Sequence, residues 1–192
     1  MKKFELTTEF ITNMFGTKLF RIKALVEFGD VKAGELGGYV EKEENVSQDG
    51  NAWVSGNAWV SGDARVFGDA RVFGNAKVSG NAWVSGNAWV AGDARVSGDA
   101  RVSGDARVSG NAEVSGNADC ALVQGFGTEF RCTTFYRGKN KKIMVNCGCF
   151  HGDLEAFREQ VKETRSGKIA KEYLMIADLM EYHFTNEDSG DE

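Results

Sequence analysis

From Val54 to Val114 a valine recurs every sixth residue without a break, and an alanine stands two residues before each of them, from Ala52 to Ala112. Two residues after each of these valines comes Gly, followed by Asp or Asn. This spacing excludes most folds. It does not match the 3.6-residue period of a helix, where a Gly in every hexad would cost roughly 1 kcal/mol each. A flat antiparallel sheet is excluded because the same turn follows every strand, so the chain winds in one direction and never doubles back. Residues two apart on a strand share a side. Ala and Val therefore face inward, the variable residue between them and the residue after Val face outward, and Gly with Asp or Asn makes the corner. Stacked coils with Val and Ala ladders inside satisfy the whole pattern: the chain reads as a solenoid.

Composition narrows the setting. The net charge of -5 argues against direct general nucleic-acid binding, since repeat arginines and lysines interleave with aspartates and form no basic stripe. No apolar run reaches a membrane-spanning length, and Met1-Lys2-Lys3 is followed by Phe4-Glu5-Leu6, not by an apolar signal segment. The expected location is the cytoplasm of a host cell, with no membrane partner. Cys120, Cys132, Cys147 and Cys149 all lie outside the regular repeat and form no C-x-x-C pair, as suits reduced structural thiols.

The hexad "VSGDAR" resembles the hexapeptide repeat of left-handed parallel β-helix proteins, and residues 51–119 match it continuously. The resemblance implies three hexads to each triangular coil, hence a mainly β, left-handed parallel β-helix. The leading segment "TKLFRIKALVEFGDVKAGELGGYVEKEENVS" resembles that of bacterial and phage-encoded hexapeptide-repeat proteins. "IMVNCGCFHGDLEAFREQVKE" and "AKEYLMIADLMEYHF" resemble the trailing domain of the phage members. What carries over is a fold; no shared activity comes with it.

Four regions are expected: a strand-rich cap over 1–32, the β-helix over 33–126, a small α+β module over 127–184 and an acidic, disordered tail over 185–192. Val40 and Val46 stand in the alanine register, and Cys120 and Phe126 continue the valine register. In the module, "FRCTTFYRGKNKKIMVNCG" reads as a hairpin around Gly138–Lys141. Asp153 can cap a helix ending at Thr164, with Leu154, Phe157 and Val161 on one stripe, and a second helix spans Ile169 to Tyr182. Such a ββαα unit would close an open end of the solenoid.

The search for chemistry ends without a catalytic residue, metal site or cofactor. Many left-handed β-helix proteins are acyltransferases with a histidine base beside the coil and an extruded loop. Here His151 and His183 both lie in the C-terminal module, and no insertion breaks 51–119. Cys147, Cys149, His151 and Cys132 could hold zinc, but C-x-C is a poor chelating spacing and suits a core strand as well. The variable surface consists of the outward positions. Trp53, Trp59, Trp83, Trp89, Arg71, Arg107, Phe67 and Phe73 are the candidate partner-binding residues, because tryptophan and arginine dominate the energetics of interfaces. At eighteen residues per coil, Trp53, Arg71, Trp89 and Arg107 form one ladder. Residues 81–110 nearly copy 51–80, and a five-hexad copy lands on a different face when three hexads make a coil.

The leading expectation is a non-catalytic binding protein of phage type. It would contact a host protein or ribonucleoprotein, extending to inhibition of a host defence system, and would form a dimer or trimer. The alternatives are a self-assembling or virion-associated solenoid and an acyltransferase-like or nucleotide-binding protein. The inward and outward assignment has a direct test. Val84→Asp places a charge in the apolar ladder and should unfold or aggregate the protein, whereas Arg95→Asp should change stability by no more than about 0.5 kcal/mol. Urea melts of the two variants check this, and equal tolerance at both sites would refute the assignment.

Overall fold

The computed structural model describes residues 1–185. Apart from Thr185, the expected acidic tail lies outside the described residues. The chain opens with two antiparallel strands, β1 (Phe4–Thr12) and β2 (Lys18–Ala24), and β2 pairs antiparallel with β3 (Leu36–Val40). Eleven two-residue strands follow at six-residue intervals, β4 (Trp53–Val54) through β14 (Glu113–Val114). They sort into three parallel sheets by taking every third strand: β3-β5-β8-β11-β14, β4-β7-β10-β13 and β6-β9-β12. The protein is a parallel β-solenoid with three strands to a coil.

Every valine from Val54 to Val114 and every alanine from Ala52 to Ala112 is at most 2% exposed, and all join one core. At roughly 1.5–3 kcal/mol per buried valine, this ladder dominates the stability of the coil. The corner glycines have positive φ, for example +65° at Gly86, where an added Cβ would stand 2.9 Å from the Gly104 nitrogen on the next coil. Backbone conformation and close stacking both demand glycine there.

Two boundaries differ from the sequence reading. Val40 and Val46 pair with Val60 and Val66, so they occupy valine rungs and not alanine rungs. The pairing spans twenty residues instead of eighteen, and the two extra residues sit in the stretch between Val46 and Val54, which is eight residues long instead of six. At the other end, Cys120 and Phe126 do not continue the coil. They belong to β15 (Cys120–Phe126), the edge of a separate antiparallel sheet completed by β16 (Arg131–Arg137), β17 (Ile143–Cys147) and β18 (Phe150–Asp153). Cys120 still packs against the solenoid core, whereas Leu122, Gln124 and Phe126 further along the strand are exposed. The C-terminal module is thus a four-stranded sheet covered by α1 (Leu154–Thr164) and α2 (Gly167–Thr185). Asp153 caps α1 by accepting the Ala156 amide at 3.0 Å.

The backbone ladder between coils leaves groups without a coil partner at both ends of the stack. Each coil donates amides to carbonyls of the next, as in Trp53 N to Ala70 O at 3.0 Å and Ser55 N to Val72 O at 2.9 Å. Carbonyls at the first rim are met by side-chain and backbone donors. Lys3 Nζ donates to Ala52 O at 2.9 Å and to Gly50 O at 3.3 Å. Asn45 Nδ2 donates to Gly62 O at 3.1 Å and Ala64 O at 2.9 Å, and the amides of Tyr39 and Glu41 reach Ala58 O and Val60 O. At the far rim Thr134 Oγ1 accepts the Arg107 amide at 3.0 Å, while Asn146 Nδ2 donates to Arg107 O at 2.7 Å. Tyr136 is fully buried in the solenoid core as a plug, and its hydroxyl donates to Ser109 O at 3.2 Å.

Lys3 is only 4% exposed. Burial, reinforced by the nearby Arg71 charge, lowers its pKa from 10.5 to about 8. The unfolded chain therefore binds the extra proton between these two values. The charged amine is held at a cost below about pH 8, and that cost is relieved as pH rises towards 10.5. The stability difference between wild type and Lys3→Met should accordingly grow in favour of wild type across that window. Urea midpoints of both proteins on either side of it measure this, and a difference that shrinks with pH would contradict the burial of a charged amine at the rim.

Candidate partner-binding surface

The outward residues stack in columns at the coil spacing. On the face of β4, β7, β10 and β13, Trp53 pairs with Arg71, Arg71 with Trp89 and Trp89 with Arg107, which is the expected ladder. On the β6 face, Arg65, Trp83 and Arg101 are neighbours in that order, and Trp59 and Lys77 lie on the third face. The near-duplicate segments are thus rotated: Trp53 and its copy Trp83 lie on different faces.

Only part of the predicted set is open to a partner. Trp53 points outward from its strand but is 2% exposed, because the N-terminal cap lies over it. Phe4 and Phe28 meet its ring edge-on at 6.2 Å and 5.3 Å, and a Cβ on Gly37 would come within 2.7 Å of the indole. Trp53 is therefore a core residue of the cap. Arg71 is half-buried and ion-paired with Asp30 of the same cap, and Trp59 is half-buried beneath Lys77, whose ammonium lies 5.6 Å from the ring centre. Trp53 is removed from the surface and Arg71 partly covered by residues distant in sequence, whereas Trp59 lines an open cleft with Ile11, Met14 and Phe15.

Trp83 and Trp89 remain, 42% and 45% exposed on adjacent faces. Each sits in the same arrangement. Phe67 meets Trp83 edge-on at 5.9 Å and 81°, and Phe73 meets Trp89 with the same two values. Arg101 stacks over Trp83 at 5.1 Å and Arg107 over Trp89 at 5.1 Å. Such contacts are worth roughly 0.5–1.5 kcal/mol for an edge-on aromatic pair and about 0.5–1 kcal/mol for an exposed cation–π pair. Their larger effect is to hold the indoles in one pose, so that little side-chain entropy is lost on contact. Arg101 is the member of this set that the sequence reading did not select; its place eighteen residues after Trp83 was the available signal.

The two rungs differ in their surroundings. The Trp83 rung borders a shallow cleft of about 260 Å³ with Glu44, Ser47 and Arg65. The Trp89 rung borders a cleft of about 210 Å³ whose far wall is the β17–β18 turn, with Asn146, Phe150 and His151. Asn146 is oriented by its Nδ2 bond to Arg107 O, which aims its Oδ1 at His151 Nδ1, 2.6 Å away. The inferred tautomer carries the proton on Nδ1 and leaves the Nε2 lone pair beside the corner at Gly110.

The thiols do not assemble into a metal centre. Among the described residues no group of three or more His, Cys, Asp or Glu is placed to hold an ion. Burial pushes the Cys120 thiol up to about 12 and also raises Cys132, opposing the thiolate that zinc requires. Cys147 accepts a hydrogen bond from Thr133 at 3.1 Å, and Cys149 is exposed on the turn.

A further ordering lies at the corners, where the Asp and Asn residues stack. Asn51 donates to Asp69 at 2.7 Å, Asn75 to Asp93 at 3.0 Å, Asn81 to Asp99 at 3.0 Å and Asn87 to Asp105 at 2.9 Å. Along residues 51–119 no Asp follows another Asp of the corner series at eighteen residues, so each corner carboxylate has an uncharged neighbour in its column. The choice between Asp and Asn, featureless along the sequence, follows the coil spacing and avoids like-charge stacking.

Two stretches, residues 64–80 and 94–110, match the YdcK beta-solenoid repeat family. Both lie within the coils described above, and the similarity is to the repeat itself. A search of curated proteins finds no match to the chain. No helix among the described residues is long and apolar enough to cross a membrane.

The exposure pattern predicts the fluorescence. In the double variant Trp83→Phe/Trp89→Phe, the remaining emission should shift to the blue, and its acrylamide quenching should fall severalfold, because buried Trp53 and half-buried Trp59 are left. Unchanged quenching would mean that the cap does not cover Trp53.

Proposed function

We propose that this β-solenoid is a non-catalytic binding protein that docks a macromolecular partner on the two adjacent faces carrying Trp83 and Trp89. The observation that supports this reading is the repetition of one rigid Phe–Trp–Arg rung on both sides of a single corner, with both indoles half-exposed. Preorganised aromatic and arginine anchors are the residue types that carry binding energy at interfaces. Trp83 and Trp89 stand in consecutive hexads, which sets them on adjacent faces around the corner at Gly86.

A protein partner fits this surface better than a duplex. The exposed Arg101 and Arg107 stand on indoles, and the repeat arginines alternate with corner aspartates, so they form no continuous track for phosphates. The likeness of the flanking segments to phage-encoded relatives extends the proposal to a host target, occupied and thereby inhibited. Coverage of both rims speaks against end-to-end stacking as the main role.

The test is capture of partners from a bacterial host lysate with tagged wild type and with Trp83→Ala/Trp89→Ala, each with and without nuclease. A stoichiometric partner is expected on wild type and should be lost, or weakened by at least about tenfold, on the double variant. Retention by the double variant, or no partner on wild type, would remove the proposed role from these tryptophans.

A further inference from the structure

Helix α2 is apolar on two sides. Ile176, Ala177, Met180 and Phe184 pack onto the C-terminal sheet. On the opposite side Met175, Leu179 and Tyr182 are 61%, 58% and 69% exposed, in steps of four and three residues. Lys168 and Lys171 continue the same stripe towards the start of the helix. A helix resting on a domain needs only one apolar face; a second, at the seam spacing of paired helices, has no counterpart among the described residues.

The charges along α2 select that counterpart. Its first half carries Lys168, paired with Glu172 at 3.4 Å, and Lys171, which makes no ion pair among the described residues. Its second half carries Asp178 and Glu181, which converge with Glu155 on one guanidinium, Arg158, at 2.7–2.8 Å. Three carboxylates around one cation leave that half acidic. A second α2 laid antiparallel brings the basic half of each helix against the acidic half of the other, while a parallel arrangement sets like against like. The helix is thus complementary to itself about a two-fold axis near the middle of the stripe.

We propose that α2 is a self-association face, through which two copies of this chain form an antiparallel, isologous helix pair centred on Met175 and Leu179. The contact is independent of the Trp83 and Trp89 rungs, which lie on the solenoid. With three large apolar side chains per copy it falls in the small-interface class, so the dimer forms by mass action and in a concentration-dependent way.

Sedimentation equilibrium of the full chain over a wide concentration range, at low and at high salt, tests this. Wild type should pass from monomer to dimer as concentration rises, with weaker association at high salt. Leu179→Glu and, independently, Met175→Glu should each raise the dissociation constant by about tenfold or more. Their far-UV circular dichroism should match wild type, since both side chains are exposed. Lys171→Glu should weaken the dimer through the charge pattern alone. A wild-type monomer throughout, a dimer that survives both apolar-to-Glu variants, or open-ended assemblies larger than a dimer would each overturn the proposal.

Discussion

The parallel hydrogen-bond ladder between coils is the constraint on which the rest of this protein depends. Because successive residues of each parallel strand turn their amides and carbonyls to opposite neighbours, both end coils of a solenoid carry backbone groups that need partners. Carbonyls at both rims are met by donors, and at the far rim an amide is met as well. Lys3 and Asn45 serve the first rim, and Thr134, Asn146 and Tyr136 serve the far one. The N-terminal cap and the C-terminal sheet are the elements that bring these side chains to the rims. Burying a lysine amine is a costly way to supply donors, but two orphan carbonyls on a buried rim would also be costly.

The same stacking governs the surface. Whatever stands at one position meets the residues eighteen before and after it, so each column selects compatible neighbours. Valine stacks on valine and alanine on alanine inside; outside, Arg stacks on Trp and Asn on Asp. An exposed rung in such a column is held on both sides by its neighbours. That is how a flat sheet face without loops can present indoles in a defined pose, and why Trp83 and Trp89 share the same geometry although they lie on different faces. A segment copied with a six-residue repeat keeps its inward residues in place under any shift of whole hexads. Its outward residues go to whichever face the shift dictates.

Strand and corner, inside and outside, and the ladder Trp53-Arg71-Trp89-Arg107 were all legible in the sequence, because in a solenoid these properties depend on residues six and eighteen apart. The helix cap at Asp153 was legible for the same reason: capping is settled within four residues. The tertiary structure decided what covers what. Trp53, Trp59 and Arg71 stand at equivalent outward positions to Trp83, Trp89 and Arg107, and no local signal separates them. The difference arises from Phe4, Phe28 and Asp30, brought over Trp53 and Arg71 by the fold of the cap, and from the β1–β2 hairpin, which stands beside Trp59. Similarly, Cys120 and Phe126 keep the valine spacing yet pair antiparallel in another sheet, because alternation alone does not say which strand will be the neighbour. Periodicity determines the shape of each coil. Only packing between distant segments decides which of its identical outward positions remain in contact with water.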